Sequence, residues 1–102
     1  DDAFRSLAQG RIVPSVDPRT VADGLLTSLG ERTFAIIREH VRGIVTVSED
    51  AIVAAMRLLW ERTKMIVEPS SAVPLGGWES AVLLPPAGPG TIRLVKTAGL
   101  VP

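Results

Sequence analysis

The chain has 102 residues, with eleven basic and eleven acidic side chains, so its formal net charge at pH 7 is zero; 46% of it is hydrophobic and 22% charged. That balance leaves no field to attract nucleic acid or an anionic membrane, and the length allows one domain at most, burying about 60 to 68% of the unfolded surface. There is no cysteine, which removes disulfides and thiolate metal sites and makes a reducing, cytoplasmic compartment the expectation, and the longest apolar runs fall well short of the roughly 20 residues of a membrane span.

No signal peptide opens the chain, and it begins at Asp1 rather than Met, so it is expected to be a processed product or a fragment. Residues 1–10 read as the last turns of a helix. Phe4, Leu7 and Ala8 share a face at helical spacing, and Gly10 stands where a left-handed C-cap is wanted. Asp1 and Asp2 suit the positive end of that helix. Pro14 and Pro18, with Ser15 and Asp17 between them, give residues 11–23 the chemistry of an ordered loop leading into Ala22-Asp23-Gly24.

In residues 31–41 the apolar positions Phe34, Ile37 and Val41 recur at spacings of three and four, which predicts a helix that Gly43 then breaks. His40 is the one histidine; with no second histidine and no cysteine, a metal role for it is not expected. Residues 44–47 are β-branched throughout and fit a short interior strand of a parallel sheet covered on both faces.

Ser48 reads as the N-cap of the next helix, with Glu49 and Asp50 in its first turn. Ile52, Val53, Met56, Leu59, Trp60 and Thr63 form a stripe expected to be buried, while Arg57, Glu61, Arg62 and Lys64 face solvent. Pro69 is read as the stop for this helix, which puts Glu68 at a helix C-terminus, where an acid opposes the dipole. By pattern alone the chain is an α/β piece with no evident chemistry.

Asp1-Asp2, Gln9-Gly10, Pro14, Ala22-Asp23-Gly24, Gly30, Ile36-Ile37-Arg38, residues 44–49, Trp60-Glu61-Arg62 and Glu68-Pro69 follow one another as in the later part of the serine/threonine dehydratases and serine racemases. The chain resembles that family over residues 1–75, with one short gap in the proline loop. The resemblance implies an α/β fold that is part of the large domain of a fold type II pyridoxal-phosphate enzyme, with a short buried parallel strand flanked by helices. It also implies a chemistry in which the lysine-bound cofactor withdraws the electrons left when the α-proton of a small hydroxy amino acid is removed. Loss of the β-hydroxyl then leads to a keto acid and ammonia, and return of a proton on the opposite face gives racemisation.

By the same resemblance Asp2 corresponds to an aspartate that helps bind a divalent cation, Mg or Ca. Asp23 and Gly24 correspond to a loop at the edge of the cofactor and substrate pocket, and Glu68 to an acid near the pyridine ring. Asp23, Gly24 and Glu68 are expected as pocket neighbours and none as a catalyst, and the glutamate and carbonyl that complete the family's cation site would precede Asp1, so that site is expected to be incomplete here. The family's Schiff-base lysine motif, its serine-asparagine loop and its glycine-rich phosphate cradle come earlier than the position matched by Asp1. Neither Lys64 nor Lys96 stands in a matching context.

Beyond Leu75 the resemblance gives way to Gly76-Gly77-Trp78 and, further on, Pro85-Pro86-Ala87-Gly88-Pro89-Gly90, so residues 76–102 read as a divergent tail, partly disordered. A shifted reading frame or rearranged gene end would explain the change in composition. Residues 91–97 alternate well enough for an edge strand, and Val95 stands where a phosphate-binding loop needs glycine. The expected function is a portion of a pyridoxal-phosphate-dependent hydroxy-amino-acid dehydratase (ammonia-lyase) or serine racemase, inactive alone. The alternative is a non-catalytic α/β remnant or interaction module. An open half-sheet also predicts self-association into a homo-oligomer.

Overall fold

The β-branched run Ile44-Val45-Thr46-Val47 lies in a strand, β1 (Val41–Val47), about which the helices are arranged. The computed structural model describes residues 1–78 and the backbone of Ile92–Thr97. Along the chain come α1 (Asp2–Gln9), a 3-10 turn (Asp23–Leu25), α2 (Glu31–His40), β1, α3 (Glu49–Thr63), α4 (Pro69–Gly76) and β2 (Ile92–Thr97). β1 and β2 pair in parallel from Val41↔Ile92 to Val47↔Thr97, with one irregularity between Val41 and Gly43.

Ile44 and Val47 are an odd number of residues apart and therefore point to opposite faces of β1. Ile44 packs with Ala3 and Ile37, joined by Leu7, Leu29 and Val41. Val47 packs with Ala22, Ile52, Ala55, Ala72 and Val73. The strand is thus parallel-paired and has a packed cluster on each face, as the sequence predicts, but with one partner among the described residues it stands at a sheet edge and not in the interior.

Several local signals hold. Gly10 closes α1 in the left-handed region (φ 68°), and Arg11 N–H reaches back to the Ser6 carbonyl at 3.2 Å. Ser48 caps α3, its hydroxyl accepting the Ala51 N–H at 3.2 Å.

Others are corrected. α2 ends at His40 and passes into β1 through an extended Val41, so Gly43 lies inside the strand and breaks no helix. On α1 the expectation that Phe4, Leu7 and Ala8 share a face holds, since all three line a recess of about 230 Å³ with Gly43 and Ile44, although the buried side chains of the helix are Asp2, Ala3 and Ser6. On α3 the buried side chains are Glu49, Ile52 and Ala55. Val53 is more than half exposed and Trp60 is 60% exposed. Thr63 is also exposed, donating its hydroxyl to the Leu59 carbonyl at 2.7 Å.

The largest correction concerns Pro69. α3 already stops at Lys64, a left-handed cap (φ 61°) whose N–H binds the Trp60 carbonyl at 2.9 Å. Pro69 instead opens α4 at its first position, where its missing N–H costs nothing. The readings of the Pro85-Pro86 and Gly88-Pro89-Gly90 segments, and of disorder there, lie outside the described residues.

Candidate functional site

The 3-10 turn is built from the inside outwards. Ala22 is fully buried in the cluster beneath Val47, and its N–H is taken by Thr20 Oγ1 at 3.1 Å. The Leu25 N–H returns to the Ala22 carbonyl at 2.9 Å, and Leu25 packs on the same cluster. With both flanks tied down, Asp23 and Gly24 are left on the exposed side of the turn, and Asp23 Oδ1 accepts the Gly24 N–H at 2.9 Å.

This turn rests against the first turn of α4. A Cβ at position 24 would lie 2.9 Å from Ser70 Oγ, so a side chain there would have to turn the Ser70 hydroxyl aside. Ser70 Oγ itself is buried and has no hydrogen-bond partner among the described residues. Glu68 stands two positions earlier, exposed, as the N-cap residue of α4, with its carbonyl accepting the Ser71 N–H at 3.0 Å. Its carboxylate therefore sits at the positive end of a helix, where an anion is favoured. This reverses the sequence expectation of a misplaced acid at a C-terminus.

Asp23-Gly24 and the Glu68 end of α4 thus form one patch. Asp2 lies elsewhere, under the opposite face of β1. It is 1% exposed, and its Oδ2 accepts the Leu29 N–H at 3.0 Å. Among the described residues no group of three or more acidic, histidine or cysteine side chains is placed to hold a metal ion.

Beside the patch runs an apolar groove of about 730 Å³, whose walls include Val21, Val53, Met56, Trp60, Ile66 and Val67. Ile66 is 85% exposed. At the rim Arg57 Nε meets Glu61 Oε1 at 2.8 Å; that hydrogen bond, with the glutamate's charge, raises the guanidinium pKa above its ordinary value. Lys64 directs its Nζ to the Glu61 carbonyl at 2.8 Å, so it is committed to capping α3. His40 approaches Glu39 at 3.7 Å on the surface, away from the patch.

The patch offers acceptors on Asp23 and Glu68 and an orphaned hydroxyl on Ser70, at the end of a helix. Such a set suits holding the polar edge of a ring; it contains no amine that could form an imine with an aldehyde. A buried hydroxyl without a partner is costly, and a turn of the Ser70 side chain outward would let a ligand atom supply one, so the described residues are compatible with one wall of a cofactor site. Sequence reasoning missed Ser70 and the burial of Glu49. The order Glu-Pro-Ser-Ser, read as a helix start, would have pointed to Ser70.

A family model described as pyridoxal-phosphate dependent enzyme matches residues 1–95, which carries the match beyond Leu75. The serine racemase of Dictyostelium discoideum is 52% identical over 74% of this chain and 24% of its own length. The beta-hydroxyaspartate dehydratase of Paracoccus denitrificans is 48% identical, again over 74% of this chain and 24% of that protein. The crystal structure of a threonine deaminase from T.th. superimposes with a TM-score of 0.77 at 52% identity, covering 97% of this chain and 36% of that one. The chain spans about a quarter of the length of the curated relatives it matches.

Proposed function

The chain belongs to the pyridoxal-phosphate dependent enzyme family, and from that premise we propose that it forms one wall of the cofactor and substrate pocket of a hydroxy-amino-acid dehydratase (ammonia-lyase) or serine racemase. The observation that carries this reading is the packing of the Asp23-Gly24 turn on the start of α4, with Ser70 Oγ orphaned between them. Pyridoxal phosphate, when bound, supplies the sink for the electron pair left as the α-proton departs. The residues of this chain orient and bound that chemistry. Asp23-Gly24 would close one edge of the pocket, the Ser70 hydroxyl would hold a polar atom of the cofactor once turned outward, and Glu68 would set the local charge. The names of the relatives support a small hydroxy amino acid as substrate.

The test has two arms. Pyridoxal phosphate added to this chain alone is expected to give no visible absorption band of a lysine-bound cofactor. Co-folded with the remaining length of a family polypeptide, the chain is expected to give that band and to release keto acid and ammonia from serine, threonine or hydroxyaspartate. A band from the chain alone, or none from the assembly, overturns the reading.

Three finer parts are proposed with it. Asp2 contributes to a Mg or Ca site, supported by its hard oxygen ligand held in a fixed, buried position; a calcium-dependent rise in Tm of the assembly that D2N abolishes checks it. The chain self-associates through its apolar groove, and light scattering on W60E and I66E should show smaller particles than the parent. The location is cytoplasmic, supported by the cysteine-free composition. No described helix is long and apolar enough to cross a membrane.

A further inference from the structure

Glu49 sits in the first turn of α3 yet is only 8% exposed. Its Oε2 accepts the backbone N–H of Val21 at 2.8 Å, and its Oε1 is buried without a hydrogen-bond partner among the described residues. A first-turn acid gains from the helix dipole while fully solvated, so the dipole explains the residue type and leaves its burial unexplained. What burial adds is the charge-assisted bond to Val21. Val21 directly precedes buried Ala22, and Ala22 is the inner post of the Asp23-Gly24 turn. The same chain segment has no regular ladder to hold it; from Arg11 to Ala22 the backbone runs as bends and loop.

We propose that Glu49 is a positioning residue. Through the Val21 N–H it fixes where the chain enters the 3-10 turn, and so sets how closely Asp23-Gly24 lies over Ser70 at the start of α4. The pocket consequence rests on the cofactor-wall reading above; the mechanical part does not. Glu49 touches neither Asp23 nor Gly24 through any described hydrogen bond, so its effect passes through the backbone of residues 21–25.

Amide hydrogen exchange of the full chain, read by NMR, tests this. In E49A the amides of Val21, Leu25 and Leu26 are expected to exchange about tenfold faster, with Ile52 and Ala55 of the neighbouring core within about twofold of the parent. E49Q keeps an acceptor oxygen and is expected to restore protection at Val21. An unchanged Val21 rate in E49A overturns the proposal. So does parallel acceleration of Val21 and Ile52, or unfolding of E49A, since each would make Glu49 a general support of the core. In the assembled, cofactor-loaded protein, E49A should in addition shift the visible absorption maximum while E49Q does not. If the parent assembly takes up no cofactor, the pocket reading fails and the exchange pattern still decides the positioning role.

Discussion

On one face of β1, Asp2 in the first turn of α1 takes the N–H of Leu29; on the other, Glu49 in the first turn of α3 takes the N–H of Val21. Both are buried carboxylates at helix starts, and between them they hold the two ends of one irregular stretch, residues 21–29, against opposite sides of the strand. Their surroundings differ. Around Asp2 the loop closes on itself: Ser6 Oγ accepts the Val13 N–H at 2.9 Å, Arg5 reaches the Pro14 carbonyl at 3.1 Å, and Ser15 binds Thr27 and Ser28. On the Glu49 side lie its own unpaired carboxylate oxygen, the unpaired Ser70 hydroxyl against Gly24, and the open apolar groove that Val21 helps to line. Among the described residues, Arg5 Nε is the one unpaired buried polar atom on the Asp2 side. The two sides are built with the same device, but they differ in degree: the Asp2 side keeps one unpaired atom and a recess of about 230 Å³, the Glu49 side two unpaired oxygens and the groove of about 730 Å³, and it is the latter that carries the proposed pocket wall.

The comparison can be broken most directly in the two cores. I52A, which empties a fully buried site, is expected to cost about 4 kcal/mol, and I37A on the partly open opposite side about 2 kcal/mol, measured by urea denaturation. Equal losses would mean that the Asp2 side is as tightly packed as the Glu49 side. D2A should cost about 1 to 3 kcal/mol by leaving the Leu29 N–H unsatisfied, and should speed exchange at Leu29 while sparing Val21. If both amides loosen, the two anchors act as one. G24A should lose about 1 kcal/mol through crowding against Ser70 Oγ, and S70A in the same chain should recover most of it. The smallest effect is expected for R57A. Its ion pair with Glu61 is exposed at the groove rim, so thermal unfolding should be unchanged within error, and a clear drop in Tm would show that the rim contributes to folding.

How much of this was legible in the sequence depends on the range of each interaction. Local geometry announced itself: Gly10 and Ser48 carry short-range cap signals, and the β-branched run marked β1 together with its two-sided burial. Pro69 misled because the same residue disfavours a helix before it and begins one after it; Lys64, the true end of α3, is not a residue type that signals a left-handed cap. Val53 and Trp60 were expected in the core because an apolar stripe states that a face seeks a partner and says nothing of whether this chain provides one. The family resemblance placed Asp23, Gly24 and Glu68, and their shared patch emerged only once the turn and α4 were seen in contact. Glu49 had no long-range signal at all, since its partner Val21 lies on a separate loop far back in the chain.

The parallel pairing of β1 with β2 has a consequence for how the molecule is made. Val47 can meet Thr97 only after α3 and α4 have been synthesised, so on a growing chain β1 waits with one row of backbone N–H and C=O groups unsatisfied while the helices on both of its faces are already able to form. Every pair from Val41↔Ile92 to Val47↔Thr97 joins residues about 50 positions apart, and closing so long a loop makes the pairing a slow event. During that interval the edge of β1 that β2 will take is a template for any other extended chain, and among the described residues the opposite edge of β1 has no strand partner even after β2 has paired.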